Sequence, residues 1–202
     1  MKKDKKRNGG YPLDEKDRLV QLAVIKAQFE LIHPLLDGNG RIGRMLVPLF
    51  LYEKKVLSQP MFYISAYLER NRERYYFSLN AVSEEGDWKG WIRFFLTAVA
   101  EQARENTRKA RAILELYEEM KQKVPAITRS QYAIQAIDAL FDRPLFQSGD
   151  FIGRSRIPRH SAFRILDEFK KAGIISMLRE GKGRRAAILA FHRVLEITED
   201  LR

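Results

Sequence analysis

The sequence predicts a mainly α-helical protein that ends in a small unit containing a β-hairpin. Two observations support this fold class. Apolar residues recur at intervals of three and four in several segments between residues 14 and 123, which is the spacing of one helix face. Near the C-terminus, two short apolar stretches flank residues 180–183, a glycine-containing segment that is typical of a hairpin turn.

The N-terminal elements follow from these patterns. Residues 1–13 are strongly charged and contain Gly-Gly, which predicts a disordered basic lead-in. The first helix is predicted over 14–32, with one apolar stripe formed by Leu22, Ile25, Phe29 and Ile32. Pro34 ends this helix, and a second helix follows over about 40–55 with Pro48 inside it.

Two further helical segments complete the larger predicted domain, which spans residues 14–123. Helical spacing resumes over about 61–82, with a break predicted near 68–71. Asp87 is a suitable N-cap for a long helix over about 88–123. Val124 and Pro125 interrupt the pattern, and we expect the domain boundary there.

The remaining residues, 126–202, predict a second domain. Thr128 or Ser130 is expected to cap a helix that ends near 141, and Ser148 a short helix that reaches 152. Pro158 and Gly173 bracket a third helix over about 159–172. Two strands follow at 174–179 and 184–191. Three helices and a hairpin in this order predict a winged helix-turn-helix.

The composition limits the function classes. The chain has 202 residues, 45% of them hydrophobic, with no cysteine and no apolar run of eighteen residues. Disulfide frameworks, thiolate metal sites and membrane-spanning helices are therefore excluded, and a cytoplasmic location is expected. The formal net charge of +11 favours anionic partners such as nucleic acid or nucleotides.

Residues 33–44 combine several groups that suit a phosphate ligand. Gly38 and Gly40 flank Asn39 just before a predicted helix, whose first N–H groups have no intrahelical partner. Arg41 and Arg44 are three residues apart, so both guanidinium groups can project from the same helix face. The segment therefore predicts a binding site for nucleotide phosphates.

Two further groups in this segment suggest catalysis. Asp37 offers a hard oxygen for the Mg²⁺ that accompanies a nucleoside triphosphate. Imidazole titrates near neutral pH, so His33 is a candidate general base. A histidine at a helix end, a glycine turn and a pair of solvated arginines each have a purely structural explanation as well. Their grouping within twelve residues favours the site.

The segment resembles the Fic motif, which reads His-Pro-Phe-x-Asp/Glu-Gly-Asn-Gly-Arg-x-x-Arg, and eleven of the twelve positions fit. The flanking segments 28–30, 67–72 and 85–88 are also similar to the family, so the resemblance covers roughly 14–120. Residues 126–202 resemble the winged-helix domain that often follows a Fic core. The implied fold is a Fic-type helical bundle followed by this small domain.

The resemblance implies an adenylyltransferase, which moves AMP from ATP to a Ser, Thr or Tyr hydroxyl of a target protein. His33 would then accept the hydroxyl proton, and Asp37 would hold Mg²⁺. Phosphate contacts would come from Gly38, Asn39, Gly40, Arg41 and Arg44, while Tyr75 or Tyr76 would line the nucleoside pocket unless these rings belong to the core. UMP, phosphate or phosphocholine transfer remain alternatives, although Arg41 in place of a lysine argues against phosphate transfer.

Three departures from the family pattern carry expectations of their own. Leu35 replaces the motif phenylalanine, and we expect it to pack with a small loosening of the loop. Only thirteen residues precede the first predicted helix, and they do not resemble the β-hairpin flap of the family. An inhibitory helix is not found either. We therefore expect an N-terminally truncated Fic core with weak activity.

A second hypothesis concerns DNA. Between 154 and 185 there are ten Lys or Arg residues against three acidic ones. The helix at 159–172 offers Arg159, Ser161 and Arg164 near its start, and the hairpin offers Lys182, Arg184 and Arg185. These groups predict binding to duplex DNA, which would make the chain a regulator with a nucleotide-sensing core. A protein-docking or dimerising role for this basic domain, including a homodimer, is the alternative.

Overall fold

The computed structural model describes residues 16–181 and 186–199, and it confirms the mainly α-helical fold class. The chain divides into two compact units between Thr107 and Arg108. Each unit has its own cluster of buried apolar side chains. The lead-in predicted at 1–13 lies outside the described residues.

Helices form the N-terminal unit within the described residues. In chain order they are α1 (Arg18–Ile32), α2 (Asn39–Glu53), α3 (Ser65–Arg70), α4 (Arg72–Glu85) and the first half of α5 (Trp88–Thr128). The break predicted near 68–71 is present at Asn71, between α3 and α4. The N-cap predicted at Asp87 is also confirmed, because its carboxylate accepts a hydrogen bond of 2.9 Å from the Gly90 N–H.

The buried face of α1 differs from the apolar stripe predicted for it. Ile25 and Ile32 are 38% and 72% exposed, although Leu22 is fully buried as expected. The buried face instead consists of Leu22, Ala23, Val24, Lys26 and Ala27. The alanines let a neighbouring helix approach closely, and the Trp91 indole N–H donates a 2.7 Å hydrogen bond to the carbonyl of Ala23. A pattern that counts only large apolar residues misses this face.

The long helix α5 does not end where the sequence predicts. It continues through Pro125 to Thr128, so the predicted helix end near 123 is wrong. Val124 is fully buried among apolar residues of the C-terminal unit, and this packing keeps the last turn helical. The division between the two compact units accordingly falls within α5, well before residues 124–125.

The C-terminal unit continues from the second half of α5 with a mixed set of elements. They are α6 (Ala133–Asp142), β1 (Leu145–Phe146), α7 (Ser148–Ser155), α8 (Arg159–Lys171), β2 (Ser176–Arg179), β3 (Ile188–Ala190) and α9 (His192–Glu199). Three helices followed by an antiparallel β2–β3 pair agree with the predicted order. The short strand β1 and the helix α9 were not predicted. The winged-helix assignment itself stays a prediction.

The sheet of this unit has the order β1–β3–β2, and both pairings are antiparallel. Ala190 on the central strand lies opposite Leu145 on one side and Ser176 on the other. The inner face of the sheet packs on a core of aromatic and aliphatic side chains from α6, α7 and α8. Among them are Leu140, Phe151, Ile165 and Phe169.

Two of the predicted helix caps differ in the structure. Neither Thr128 nor Ser130 is the N-cap of α6, which is Tyr132; Thr128 lies in the last turn of α5, where its hydroxyl donates to the Val124 carbonyl. Gln147 rather than Ser148 caps α7, in a reciprocal arrangement with the Asp150 carboxylate. Gly173 follows α8 with a φ of +65°, as the predicted helix end requires. No helix in the described part of the chain has the length and hydrophobicity needed to cross a lipid bilayer.

Candidate functional site

The loop between α1 and α2 is shaped by two residues with positive φ. His33 follows α1 with a φ of +50°, and its backbone N–H donates to the Phe29 carbonyl at 3.2 Å. Gly38 precedes α2 with a φ of +83°, in the region that favours glycine. The His33 side chain is exposed at the start of this loop, five residues before Gly38.

Asn39 holds the loop from the first position of α2. Its side chain accepts a 3.0 Å hydrogen bond from the Leu35 N–H and donates a 2.6 Å hydrogen bond to the Leu35 carbonyl. Asn39 is only 2% exposed. Leu35 itself is 38% exposed, so its side chain is not the buried anchor that the loop was expected to have. The backbone of the loop is instead fixed by the buried amide of Asn39.

The first turn of α2 presents the groups that the sequence assigns to phosphate. The Asp37 carboxylate accepts a 2.6 Å hydrogen bond from the Gly38 N–H and lies 3.5 Å from the Arg41 guanidinium. Both charged side chains are largely exposed, at 93% and 75%. The first N–H groups of a helix lack intrahelical acceptors, and the helix dipole adds partial positive charge there. This turn can therefore receive an anion.

A pocket of about 560 Å³ lies beside this turn, and we call it the α2–α4 pocket. Of the site residues that the sequence predicts, it brings together Gly40, Arg44, Tyr75 and Tyr76. His33, Asp37, Gly38, Asn39 and Arg41 are not part of its wall. Arg41 and Arg44 share the wall of a second, smaller cavity of about 270 Å³. The other residues that line the α2–α4 pocket are Lys26, Glu30, Tyr63, Ser65, Ala66, Leu68, Glu69 and Arg72.

The two tyrosines have different environments. Tyr75 is buried, and its ring centroid lies 5.8 Å from that of Trp91 and 5.2 Å from that of Tyr76. Burial is the main reason why the pKa of the Tyr75 phenol is raised, so the hydroxyl stays protonated. Tyr76 is 50% exposed, and the Arg72 guanidinium lies 5.7 Å from its ring centroid. Tyr75 is thus both a core residue and part of the pocket wall.

Sequence reasoning missed a charged group beneath the pocket. The Lys26 ammonium is 1% exposed, pairs with the Glu30 carboxylate and lies 3.4 Å from the Tyr75 hydroxyl. Burial lowers the pKa of Lys26, while the hydrogen bond and charge of Glu30 act in the opposite direction. The only hint in the sequence was the four-residue spacing of a lysine and a glutamate on α1, which usually marks an exposed pair.

Gly43 makes room for this charged group on the facing side of α2. A Cβ atom at this position would overlap the Glu30 carboxylate and lie 2.8 Å from the Lys26 nitrogen and 3.2 Å from the Phe29 ring. The absence of a side chain at 43 therefore allows α1 and α2 to approach with two charged groups between them.

The donor set for a metal is small. Within the described ranges there is no group of three or more His, Asp or Glu residues that could hold a metal ion. Asp37 offers one exposed carboxylate at the start of α2. A single carboxylate fits Mg²⁺ that arrives with nucleotide phosphates, because this ion usually keeps water and phosphate oxygens as its other ligands.

The residues predicted to contact DNA lie partly within the described chain. Arg159 and Arg164 are exposed on α8, and Ser161 is half-buried beside them. The Arg159 guanidinium lies 5.6 Å from the Phe163 ring centroid. Lys182, Arg184 and Arg185 fall outside the described residues.

Comparison with known proteins returns two findings. Residues 3–51 match the sequence profile of the Fic/DOC family. Over 61 residues the chain is 41% identical to a protein of Aquifex aeolicus (strain VF5) named as a probable protein adenylyltransferase. This alignment covers 30% of the chain and 17% of that relative, so the chain spans only a small part of the relative's length.

Proposed function

We propose that the chain transfers AMP from ATP to a hydroxyl group of a target protein, as the match of residues 3–51 to the Fic/DOC family and the similarity to a probable protein adenylyltransferase suggest. The observation that carries the proposal is the arrangement of residues 33–44. An exposed histidine and an exposed carboxylate precede a glycine-bounded helix start, and Arg44 in the first turns of this helix also lines a pocket of about 560 Å³.

The proposed reaction is a substitution at the α-phosphorus of ATP. The hydroxyl oxygen of the target forms the new P–O bond, the bond to the bridging oxygen of pyrophosphate breaks, and pyrophosphate leaves. His33 accepts the hydroxyl proton as the bond forms. Bound Mg²⁺ would neutralise phosphate charge, and Asp37 is the residue that would hold it.

The remaining residues act by positioning and electrostatics. The N–H groups at the start of α2 face developing negative charge on the phosphate, and Arg41 and Arg44 bind the outer phosphates. Asn39 contributes by fixing the loop, since both ends of its amide are bonded to Leu35. The half-exposed ring of Tyr76 offers a surface on which a nucleobase can stack.

A labelling experiment tests the proposal. The purified chain is incubated with Mg²⁺, cell lysate and ATP that is labelled on its α-phosphate. Proteins should acquire the label, and His33→Ala should abolish labelling. His160→Ala is the matched control, because this exposed histidine lies on α8 in the other unit. Equal labelling by the His33 variant and the unchanged chain would remove the histidine from the mechanism.

The choice of labelled nucleotide, and of the phosphate that carries the label, distinguishes AMP transfer from phosphate and UMP transfer. Label from the γ-phosphate of ATP would indicate phosphate transfer, and label from the α-phosphate of UTP would indicate UMP transfer. AMP transfer predicts incorporation from the α-labelled ATP alone. This comparison uses the same target proteins and the same enzyme, so differences in protein folding do not affect it.

A second candidate function, binding to duplex DNA, is favoured by the exposed face of α8. Ile165, Leu166 and Phe169 bury one side of this helix. On the other side, Arg159 and Arg164 take part in no ion pair with any residue that the structure describes. Cations that are not engaged in an ion pair are available to phosphate groups.

The DNA hypothesis makes a quantitative prediction. Affinity for a labelled duplex should fall steeply between about 50 and 200 mM salt, because phosphate contacts release counterions. Arg159→Ala and Arg164→Ala should each lower the salt slope by about one, whereas Lys89→Ala in the other unit should not. Affinity that is independent of salt would contradict this second function.

A further inference from the structure

Glu30 places a negative charge in a pocket that is proposed to bind an anion. Its side chain is only 11% exposed and lines the α2–α4 pocket together with Arg44. The Arg44 guanidinium folds back toward the start of α2, where one of its nitrogens lies 3.4 Å from the Cβ position of Gly40. An unbalanced carboxylate here would repel phosphate groups and attract the arginine that should bind them.

The group that balances Glu30 is the buried ammonium of Lys26. This nitrogen is almost completely shielded from solvent and donates to the Glu30 carboxylate and to the Tyr75 hydroxyl. A buried lysine is costly unless its charge is paired and hydrogen-bonded, and both conditions are met. The cluster thus combines one cation, one anion and one phenol that burial keeps neutral.

We propose that Lys26 is a positioning residue, which neutralises Glu30 and so leaves Arg44 available to the phosphates of the ligand. The inference rests on the proposed function, because it takes the ligand to be a nucleoside triphosphate. Lys26 lines the pocket, but in this proposal it acts through its ion pair with Glu30 and not on the reacting atoms. Its location beneath the pocket makes it a determinant of anion affinity.

The charges of Arg44 and Glu30 support the proposed role of Lys26. The positive charge of Arg44 is among the influences that lower the pKa of Lys26, after burial, which shows that the two cations share one electrostatic environment. Glu30 lies in the same environment, since its charge raises the pKa values of both Lys26 and Tyr75. Removal of either partner of the pair changes the potential to which a phosphate group is exposed.

The experiment measures the binding of inorganic triphosphate to the full chain by titration calorimetry. Four proteins are compared: the unchanged chain, Lys26→Met, Glu30→Gln and the double variant. Lys26→Met should bind triphosphate about tenfold more weakly, as expected when a carboxylate in an anion site loses its counter-charge. Glu30→Gln should bind at least as tightly as the unchanged chain, and the double variant should regain its affinity.

The double variant separates electrostatics from structure. A purely structural lysine would not be rescued by the removal of the Glu30 charge, so low affinity in the double variant overturns the inference. Equal affinity in all four proteins, including a uniform lack of binding, also overturns it. Thermal unfolding followed by circular dichroism verifies that each variant is folded at the titration temperature.

The same proteins keep this inference distinct from the proposed function. If triphosphate binding follows the expected pattern but no protein acquires the α-phosphate label, the adenylyl transfer is wrong and the role of Lys26 in anion binding stands. If labelling depends on His33 but triphosphate affinity does not depend on Lys26, the transfer stands and the positioning role is wrong.

Discussion

The amide side chain of Asn39 exchanges two hydrogen bonds with the backbone of Leu35, one to its N–H at 3.0 Å and one to its carbonyl at 2.6 Å. A residue at the start of α2 thereby fixes a residue four positions earlier in the loop. The loop carries Asp37 and begins at His33, so the shape of the candidate site depends on one buried amide.

Asn39→Ala should remove both hydrogen bonds and lower the free energy of unfolding by about 1–3 kcal/mol, because the partly buried Leu35 groups lose their partners. Labelling from ATP should decrease as well, since the loop is released. Asn80→Ala on the exposed side of α4 is the control, with an expected change below about 0.5 kcal/mol. Chemical denaturation measures both; equal stability of the two variants would contradict the prediction.

Gly38→Ala should be destabilising by about 1–2 kcal/mol, because an L side chain is strained at a φ of +83°. Gly86→Ala is a matched control, as its φ is +71° and a Cβ there would meet no atom within 4 Å. The stability losses should be similar. Only the Gly38 variant should also lose affinity for triphosphate in calorimetry. An equal loss of triphosphate affinity in the Gly86 variant would show that backbone strain alone explains the weaker binding.

The raised pKa of Tyr75 predicts a loss of stability at alkaline pH. Below the ordinary tyrosine value of about 10, the phenol is protonated in both the folded and the unfolded chain. Above that value, the unfolded chain loses the proton and the folded chain keeps it, so the free energy of unfolding falls as pH rises. The lowered pKa of Lys26 acts in the opposite direction below about 10.5, where stability rises with pH.

Tyr75→Phe tests this prediction, because it removes the ionisable phenol and keeps the ring. The variant should show a shallower decline in the free energy of unfolding between pH 10 and 11 than the unchanged chain, measured by denaturant titration at each pH. Parallel curves in this range would mean that the phenol ionises equally in the folded and unfolded states.

Glu119 and Arg193 form a two-point ion pair in the C-terminal unit, with contacts of 2.5 and 2.7 Å. Both side chains are about half exposed, so Arg193→Met should cost less than about 1 kcal/mol. The guanidinium lowers the pKa of Glu119, and the stabilisation is therefore present above about pH 4.5 and lost as pH falls. A loss that persists unchanged at pH 2 would show that packing, not charge, is responsible.

Sequence reasoning succeeded where local chemistry decides the structure. The glycines at 38 and 173, the Asp87 cap and the break near Asn71 each depend on a few neighbouring residues, and each is present. The long twelve-residue motif also located the turn at the start of α2. These features need no knowledge of distant contacts.

Contacts between residues that are far apart in the sequence determine the features that could not be predicted. α5 passes through Pro125 because Val124 is buried among residues that come later in the chain. The buried Lys26 donates a hydrogen bond to Tyr75, which is forty-nine positions away in the sequence. The spacing of residues within α1 gives no information about a contact with Tyr75. Periodicity alone therefore identified the wrong face of α1.

Gly43 has a consequence for anyone who redesigns this protein. Because a Cβ at 43 would occupy the space of the Lys26 and Glu30 side chains, the acceptable residues at 26, 30 and 43 depend on one another. Single-site libraries at position 43 should return only glycine while the ion pair is present. Libraries that vary the three positions together should also recover sequences with a larger residue at 43 and two small apolar residues on α1.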